Sequence, residues 1–157
     1  MTATKVIGES VKQTNRTFIK SYVNDYADAI TENYKRYHLR TLNRNLHGNY
    51  PEYAREQLDA IENGTANLMK FKVYSGKRYY KIVQQEFETW EKSRNYGKYA
   101  DHSVHCFVDK ETGDVYKPAS WSAPAKHIRF TFQNVDHLKF LLNPDNVGWA
   151  GGYLYIR

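Results

Sequence analysis

The amino-acid sequence predicts an α+β fold in which a long N-terminal amphipathic helix and a second helix pack on a mainly antiparallel sheet of about four to six strands. Two observations predict it. Apolar side chains recur every three or four residues in the first part of the chain, and apolar and polar residues alternate after residue 64. A chain of 157 residues is long enough for one domain with a core and too short for two. We therefore expect a single domain over 1–157, with a loose tail at 1–13, helices over 14–64 and mostly sheet over 65–157.

The first helix is predicted from residue 14 or 15 to about Leu42. Thr14 or Asn15 can cap its N-terminus. Its apolar stripe contains many tyrosines, some of whose hydroxyls should reach water, and consists of Phe18, Ile19, Tyr22, Val23, Tyr26, Ala27, Ile30, Tyr34 and Tyr37.

The second helix is predicted between Pro51 and Gly64. Residues 43–49 are rich in turn formers and should end the first helix. Proline suits the first helical position and glycine the C-terminal cap. The two helices should form an antiparallel pair or an angled corner.

The first strands form a hairpin around residues 75–77. Apolar Met69, Phe71 and Val73 alternate with lysines, which predicts a half-exposed strand, and residues 78–85 return. The outward-facing cations of this hairpin should lie close together; they are Lys70, Lys72, Arg78 and Lys81.

A second hairpin is predicted around the turn 109–114. Val104, Cys106 and Val108 alternate with His105 and Phe107, which is typical of a strand with one buried face. Residues 115–117 return, and 86–100 are read as an ambiguous stretch that ends in an exposed loop. Beyond them we expect a strand or extended edge at 127–132, a short helix near 134–143 capped by Asn134, and a closing strand at 153–156.

The charge of the chain is concentrated in one segment. The net charge is +6, and residues 67–99 hold eight Lys and Arg against three Asp and Glu, whereas residues 100–157 hold six against six. Aromatic residues make up 15% of the chain, with 14 tyrosines. Cations that neutralise phosphates and rings that stack on bases are typical of a nucleic-acid surface. The alternative is a solvated basic face that only keeps the protein soluble.

The proline-bracketed loop 119–127 carries the remaining candidates. Trp121 could close the edge of the core, as tryptophans usually bury most of their area. It could also be presented to a partner, together with neighbouring cations and His127. The predicted nucleic-acid-binding residues are Lys70, Lys72, Lys77, Arg78, Lys81, Lys117, Trp121 and Lys126.

Catalytic motifs are absent from the sequence, which favours binding over catalysis. No Walker loop, dinucleotide fingerprint or nucleophile elbow occurs. His102, His105 and Cys106 lack a second cysteine for zinc. Magnesium would need clustered carboxylates such as Asp101, Asp109, Glu111 and Asp114, but three of these four lie in or beside a turn that already explains them. Cys106 with His102 or His127 could form a thiol–imidazole pair only if the fold brings them together, and we interpret Cys106 as a small buried hydrophobic residue. We expect no cofactor.

The segments VHCFVDKETGDVYKPASWSAPAK and WAGGYLYIR resemble a group of small uncharacterised proteins of tailed bacteriophages. The resemblance implies a phage origin and assigns no activity. No apolar run approaches the roughly 20 residues of a membrane span, and the N-terminus lacks a secretory apolar segment. With a single cysteine in the chain, the expected location is the cytoplasm of a bacterial host.

Two functional hypotheses follow. The first is a non-enzymatic phage protein that binds DNA or RNA through a basic, aromatic-rich sheet face. The alternative is a protein-interaction module that binds or inhibits a host protein, with exposed aromatic residues as anchors.

Overall fold

The computed structural model describes the backbone of residues 2–156 and the side chains of residues 15–156. The two predicted N-terminal helices are present: α1 is Thr2–Leu46 and α2 is Pro51–Glu62. Helix α1 begins at Thr2, so the start expected at residue 14 or 15, with Thr14 or Asn15 as its cap, is wrong. The side chains of residues 1–13 lie outside the described ones, and the loose packing expected of that segment stays a prediction. Helix α1 ends four residues later than expected, at Leu46 instead of Leu42. Residues 43–46 contain neither Gly nor Pro, so their polarity alone does not stop the helix.

The sheet has five strands in the order of the chain, all antiparallel. The strands are β1 Lys70–Ser75, β2 Tyr79–Phe87, β3 Tyr99–Asp109, β4 Asp114–Tyr116 and β5 Phe130–Thr131. The predicted α+β class and the range of strand numbers are therefore confirmed. Both predicted hairpins are present, and Gly113 at the second turn has a φ of 73°, a conformation that favours glycine.

The core lies between α1 and one face of the sheet, which we call the inner face. Val23, Tyr26 and Ile30 of α1 are fully buried, and they belong to the same cluster as Ile82 and Cys106. The spacing of the three helical residues by three and four places them on one side of α1. The opposite side of the sheet, which we call the outer face, therefore carries the side chains that alternate with these core residues.

The second half of strand β3, from His105 onward, differs from the prediction because both of its sides are covered. His105 and Phe107 were expected on an exposed face, and both are buried. The register shifts between Ile82 and Val83, so that Cys106 and Val104 have partners on β2 while His105 is skipped. Because of this β-bulge, the His105 side chain does not follow the alternation of side chains between the inner and outer faces. Phe107 lies on the outer face, where the Tyr79 ring packs edge-on against it with the ring centres 5.8 Å apart.

The end of the chain forms a short helix instead of the predicted strand at 153–156. Gly151 has a φ of 82°, and a 3₁₀ turn covers Gly152–Leu154. The Leu154 carbonyl accepts a hydrogen bond of 2.6 Å from Arg129 Nε, so it has a side-chain donor in place of a strand partner. Its side chain is buried in the core. The alternation of only four residues, 153–156, was too short to distinguish a strand from a 3₁₀ turn.

The short helix near 134–143 is confirmed as α3, Val135–Leu141. The Asn134 side chain accepts hydrogen bonds from the backbone N–H groups of Asp136 and His137, as expected of an N-cap. Among the described residues, no helix combines the length and the apolar character required to cross a bilayer.

Candidate nucleic-acid interface

The lysines of β1 point away from α1. Lys70 and Lys72 are exposed and alternate with buried Phe71, which packs in the core. Tyr74 continues the outward row and pairs directly with Lys81 of β2. Since directly paired residues of an antiparallel ladder share a face, Lys70, Lys72 and Lys81 all lie on the outer face, as the first hairpin predicts.

Aromatic rings lie beneath the two β1 cations. The Lys70 ammonium is 4.0 Å from the centre of the Tyr99 ring, and that of Lys72 is 4.8 Å from the centre of the Tyr74 ring. A cation over a ring face is attracted by its quadrupole. These contacts hold the lysine side chains over the sheet while their charges stay in solvent.

The turn between β1 and β2 adds two more exposed cations, Lys77 and Arg78. The Arg78 guanidinium is 5.2 Å from the centre of the Tyr79 ring, and its Nε is 3.5 Å from an oxygen of Asp109. The Arg78 side chain is 72% exposed, so this long ion pair is solvent-screened and weak. Arg78 thus keeps much of its capacity to contact a second anion.

Lys81 binds the loop that follows β4. Its ammonium donates a hydrogen bond of 2.9 Å to the Trp121 carbonyl and lies 4.1 Å from the centre of the indole. Lys81 therefore anchors the loop and is not a free cation. Trp121 rests on Lys81 and remains 46% exposed, so it does not close the edge of the core. Its presentation to a partner stays a prediction.

Backbone hydrogen bonds give this loop a defined shape. Pro118 and Pro124 form an isolated bridge, and the Ala119 N–H donates to the Ala123 carbonyl at 3.0 Å. The Ala125 N–H donates to the Lys117 carbonyl at 2.7 Å. The indole is thus held on a closed loop above the outer face.

A groove of about 400 Å³ lies beside Trp121 on the outer face. It collects four of the eight predicted residues. Its rings are those of Tyr74, Tyr79, Phe107 and Trp121, and its charged side chains are those of Lys77, Arg78, Lys81 and Asp101. A ring-lined groove bordered by cations can hold a flat group that carries negative charge.

Asp101 is a groove residue that sequence reasoning considered only as a metal ligand. The Tyr74 hydroxyl donates to its carboxylate at 2.8 Å, and Gln85 Nε2 donates to the same oxygen at 2.8 Å. The hydrogen bond to this carboxylate raises the pKa of Tyr74. The sequence carried no signal for this position, because the register of β3 on β2 shifts between Gln84 and Gln85, directly before the pair of Gln85 with Asp101.

Lys110 is a further cation near this site. It was not identified from the sequence, because residues 100–157 hold equal numbers of cations and carboxylates. Its ammonium donates to Ser75 Oγ at 2.6 Å and lies 4.9 Å from the centre of the Tyr80 ring. It belongs to a second cleft, of about 840 Å³, on the other side of the hairpin turn. In that cleft Arg16 and Glu111 form an ion pair of 2.7 Å, so part of its charge is compensated.

Four predicted cations do not line the groove: Lys70 and Lys72, which lie on β1, and Lys117 and Lys126. The Lys117 ammonium is 4.7 Å from the centre of the Tyr155 ring, and Lys117 borders a separate cavity of about 130 Å³. Lys126 is exposed, and its carbonyl accepts a hydrogen bond from Arg129 at 2.8 Å. Neither residue lines the groove.

A buried polar cluster connects α1, β3 and the C-terminal turn. His105 Nε2 is 2.7 Å from the Tyr153 hydroxyl, which in turn is hydrogen-bonded to the Tyr26 hydroxyl. Burial lowers the pKa of His105 to about 4 and raises the pKa of Cys106 to about 12. The imidazole is therefore neutral and the thiol protonated near neutral pH, and the burial of Cys106 confirms its interpretation as a small hydrophobic residue.

Metal ligands are not grouped in the part of the chain that the structure describes, where no three His, Cys, Asp or Glu side chains could hold an ion together. His102 is exposed and contacts Gln84 and Ser103.

Comparison with known proteins places the chain in a family. No curated protein and no solved structure matches the chain. One family model matches residues 6–156, which is nearly the whole sequence. The chain therefore belongs to a family of unknown function, DUF7717.

Proposed function

We propose that this protein binds nucleic acid, without catalysing a reaction on it, through the outer face of β1 and β2. The observation that carries the proposal is the groove beside Trp121, where rings and cations from the hairpin and the loop border one space. Rings offer stacking surfaces to bases, and cations neutralise phosphates.

The charges of this face are available to a polyanion. Within the described residues, none of Lys70, Lys72 and Lys77 has a carboxylate oxygen within 4.0 Å. Arg78 adds a fourth cation with one long ion pair. Four phosphate contacts to a single strand predict that the logarithm of the binding constant falls with the logarithm of salt concentration with a slope of about −3.

The rings are placed to add stacking energy. Trp121 is about half exposed and Tyr79 is half-buried, and both border the groove. Stacking of a base on an aromatic ring contributes about 1–3 kcal/mol. Trp121→Ala should therefore weaken binding about tenfold or more, while leaving the salt slope unchanged.

The sequence resemblance supports a phage-infected bacterium as the place where this binding occurs. The segments that resemble tailed-phage proteins include the Trp121 loop, and a phage protein of this kind would act in the cytoplasm of its bacterial host. A phage that copies or regulates its genome there presents both single-stranded and double-stranded nucleic acid.

The test is a fluorescence anisotropy titration of labelled single-stranded and double-stranded oligonucleotides from about 50 to about 200 mM salt. The double variant Lys72→Glu and Lys77→Glu should lose most of the binding. The matched control is Lys35→Glu with Lys139→Glu, which makes the same change in net charge on exposed positions of α1 and α3. If the wild-type chain fails to bind any of these probes at the lowest salt, or if both double variants bind equally, the proposal is wrong.

A second candidate function, capture of a host protein, is favoured by an exposed loop that does not line the groove. The loop spans residues 88–98. The Glu88 N–H donates to the Lys98 carbonyl at 2.9 Å, and the Gly97 N–H donates to the Glu88 carbonyl at 3.0 Å, which closes the loop. Trp90, which is 63% exposed, and Tyr96 project from it. Aromatic side chains on ordered loops are frequent interface anchors. A pull-down from nuclease-treated bacterial lysate distinguishes the functions: retention of a partner should be lost in Trp90→Ala and kept in Trp121→Ala.

A further inference from the structure

The groove beside Trp121 carries opposite charges at its two ends. Lys77 and Arg78 lie at the hairpin turn. Asp101 pairs in register with Gln85, which is six residues along β2 from Tyr79 at the turn end of the strand. A carboxylate at this position repels phosphate, so the simple picture of a uniformly basic groove does not explain it. Its presence favours a ligand whose far end donates hydrogen bonds.

The carboxylate of Asp101 is oriented before any ligand binds. One oxygen accepts hydrogen bonds from the Tyr74 hydroxyl and from Gln85 Nε2, both at 2.8 Å. The other oxygen has a single longer contact of 3.1 Å, to the same Tyr74 hydroxyl. Because that hydroxyl has one proton, which is directed to the nearer oxygen, the second oxygen keeps lone pairs free to accept.

A carboxylate that only accepts hydrogen bonds distinguishes among the bases by their unpaired Watson–Crick edges. Guanine presents two neighbouring donors there, N1–H and the 2-amino group. Adenine and cytosine place a ring nitrogen acceptor beside their amino group, and thymine and uracil place a carbonyl on each side of their single donor. Acceptors that face a carboxylate are repelled, so guanine is the base that fits.

We infer that the groove binds one unpaired guanine nucleotide, with its base edge on Asp101, its ring against Trp121 and Tyr74, and its backbone toward Lys77 and Arg78. This inference rests on the proposed nucleic-acid binding and specifies its substrate class. A duplex occupies the Watson–Crick edge in base pairing, and therefore the groove should prefer single strands, loops and ends.

The experiment compares oligothymidylate of about ten nucleotides with the same strand carrying one central guanine. The guanine should increase affinity about tenfold, the value expected of a pair of hydrogen bonds to one base. Inosine, which lacks the 2-amino group, should give part of this gain, whereas 7-deazaguanine, which keeps both donors, should give all of it.

The variant Asp101→Asn should reduce the ratio of guanine to thymine affinities to about one, because an amide offers a donor as well as an acceptor. Asp101 is exposed, so the variant should fold, and its salt slope should equal that of the wild type. Glu86→Gln, an equal change of charge at an exposed position on β2, is the matched control and should keep the preference. Binding without a guanine preference in the wild type, or a preference that survives in Asp101→Asn, overturns the guanine inference alone. Absence of all binding overturns the proposed function with it.

Discussion

The contact between Lys81 and Trp121 should control whether the loop at 118–125 stays closed. Lys81→Met removes both the hydrogen bond of 2.9 Å to the Trp121 carbonyl and the ammonium 4.1 Å from the indole centre, while keeping a side chain of similar length. A hydrogen bond from a charged donor contributes about 1.5 kcal/mol at the low end of its range, which suits a partly exposed lysine. The cation–π contact adds about 0.5 kcal/mol at an exposed site. The loop should therefore open about 2 kcal/mol more easily.

Hydrogen exchange followed by NMR measures this opening directly. The N–H groups of Ala119, Ser120 and Ala125 donate within the loop, and their exchange should accelerate about thirtyfold in Lys81→Met. Amides in the middle of β2 and β3 should be unaffected. Lys70→Met is the matched control, since Lys70 contacts Tyr99 and not the loop. Equal exchange of the three loop amides in Lys81→Met and in the wild type would refute the view that Lys81 anchors the loop.

Further predictions concern the buried cluster and the second hairpin. The pKa of His105 is lower in the folded state than in the unfolded state, so the unfolded state binds the proton first as the pH falls. The free energy of unfolding should therefore decrease by about 2 kcal/mol from pH 7.5 to pH 5. Urea unfolding at the two pH values should show a smaller decrease in His105→Gln. Gly113→Ala should destabilise the fold by roughly 2 kcal/mol or more. The new Cβ would lie 2.9 Å from the Phe132 Cβ, and a φ of 73° is unfavourable for alanine. Gly97→Ala, at a φ of 74° with open space around it, should cost only about 1 kcal/mol in the same denaturation assay. Cys106 should react with a thiol reagent only at the rate of unfolding, and fast labelling of the native chain would contradict its burial.

Local patterns were sufficient for most of the elements. The stripe of α1, the proline at the start of α2 and the glycine in the turn before β4 each specify a conformation from neighbouring residues alone. The pairing of β1 with β2 followed as well, because a short turn leaves an antiparallel return as the simplest connection. These features placed Lys70, Lys72, Lys77 and Arg78 on one hairpin.

Features that depend on distant parts of the chain were not predictable in the same way. The bulge at His105 arises from pairing with β2, and Phe107 is buried although it lies on the outer face, where the Tyr79 ring packs edge-on against it. Asp101 is held at the groove by hydrogen bonds from Gln85 and Tyr74, which precede it by 16 and 27 residues. No periodicity records such contacts, because each depends on where other elements pack.

By itself, then, the sequence determined the fold class, the course of the helices and hairpins, and the concentration of cations in residues 67–99. Only the tertiary structure decided that Lys81 anchors Trp121, that Lys117 and Lys126 lie apart from the groove, and that a carboxylate borders it. The physical reason is the range of the interactions. Backbone conformation and side-chain alternation depend on adjacent residues, whereas a binding groove is formed by side chains that come together only when the chain is folded.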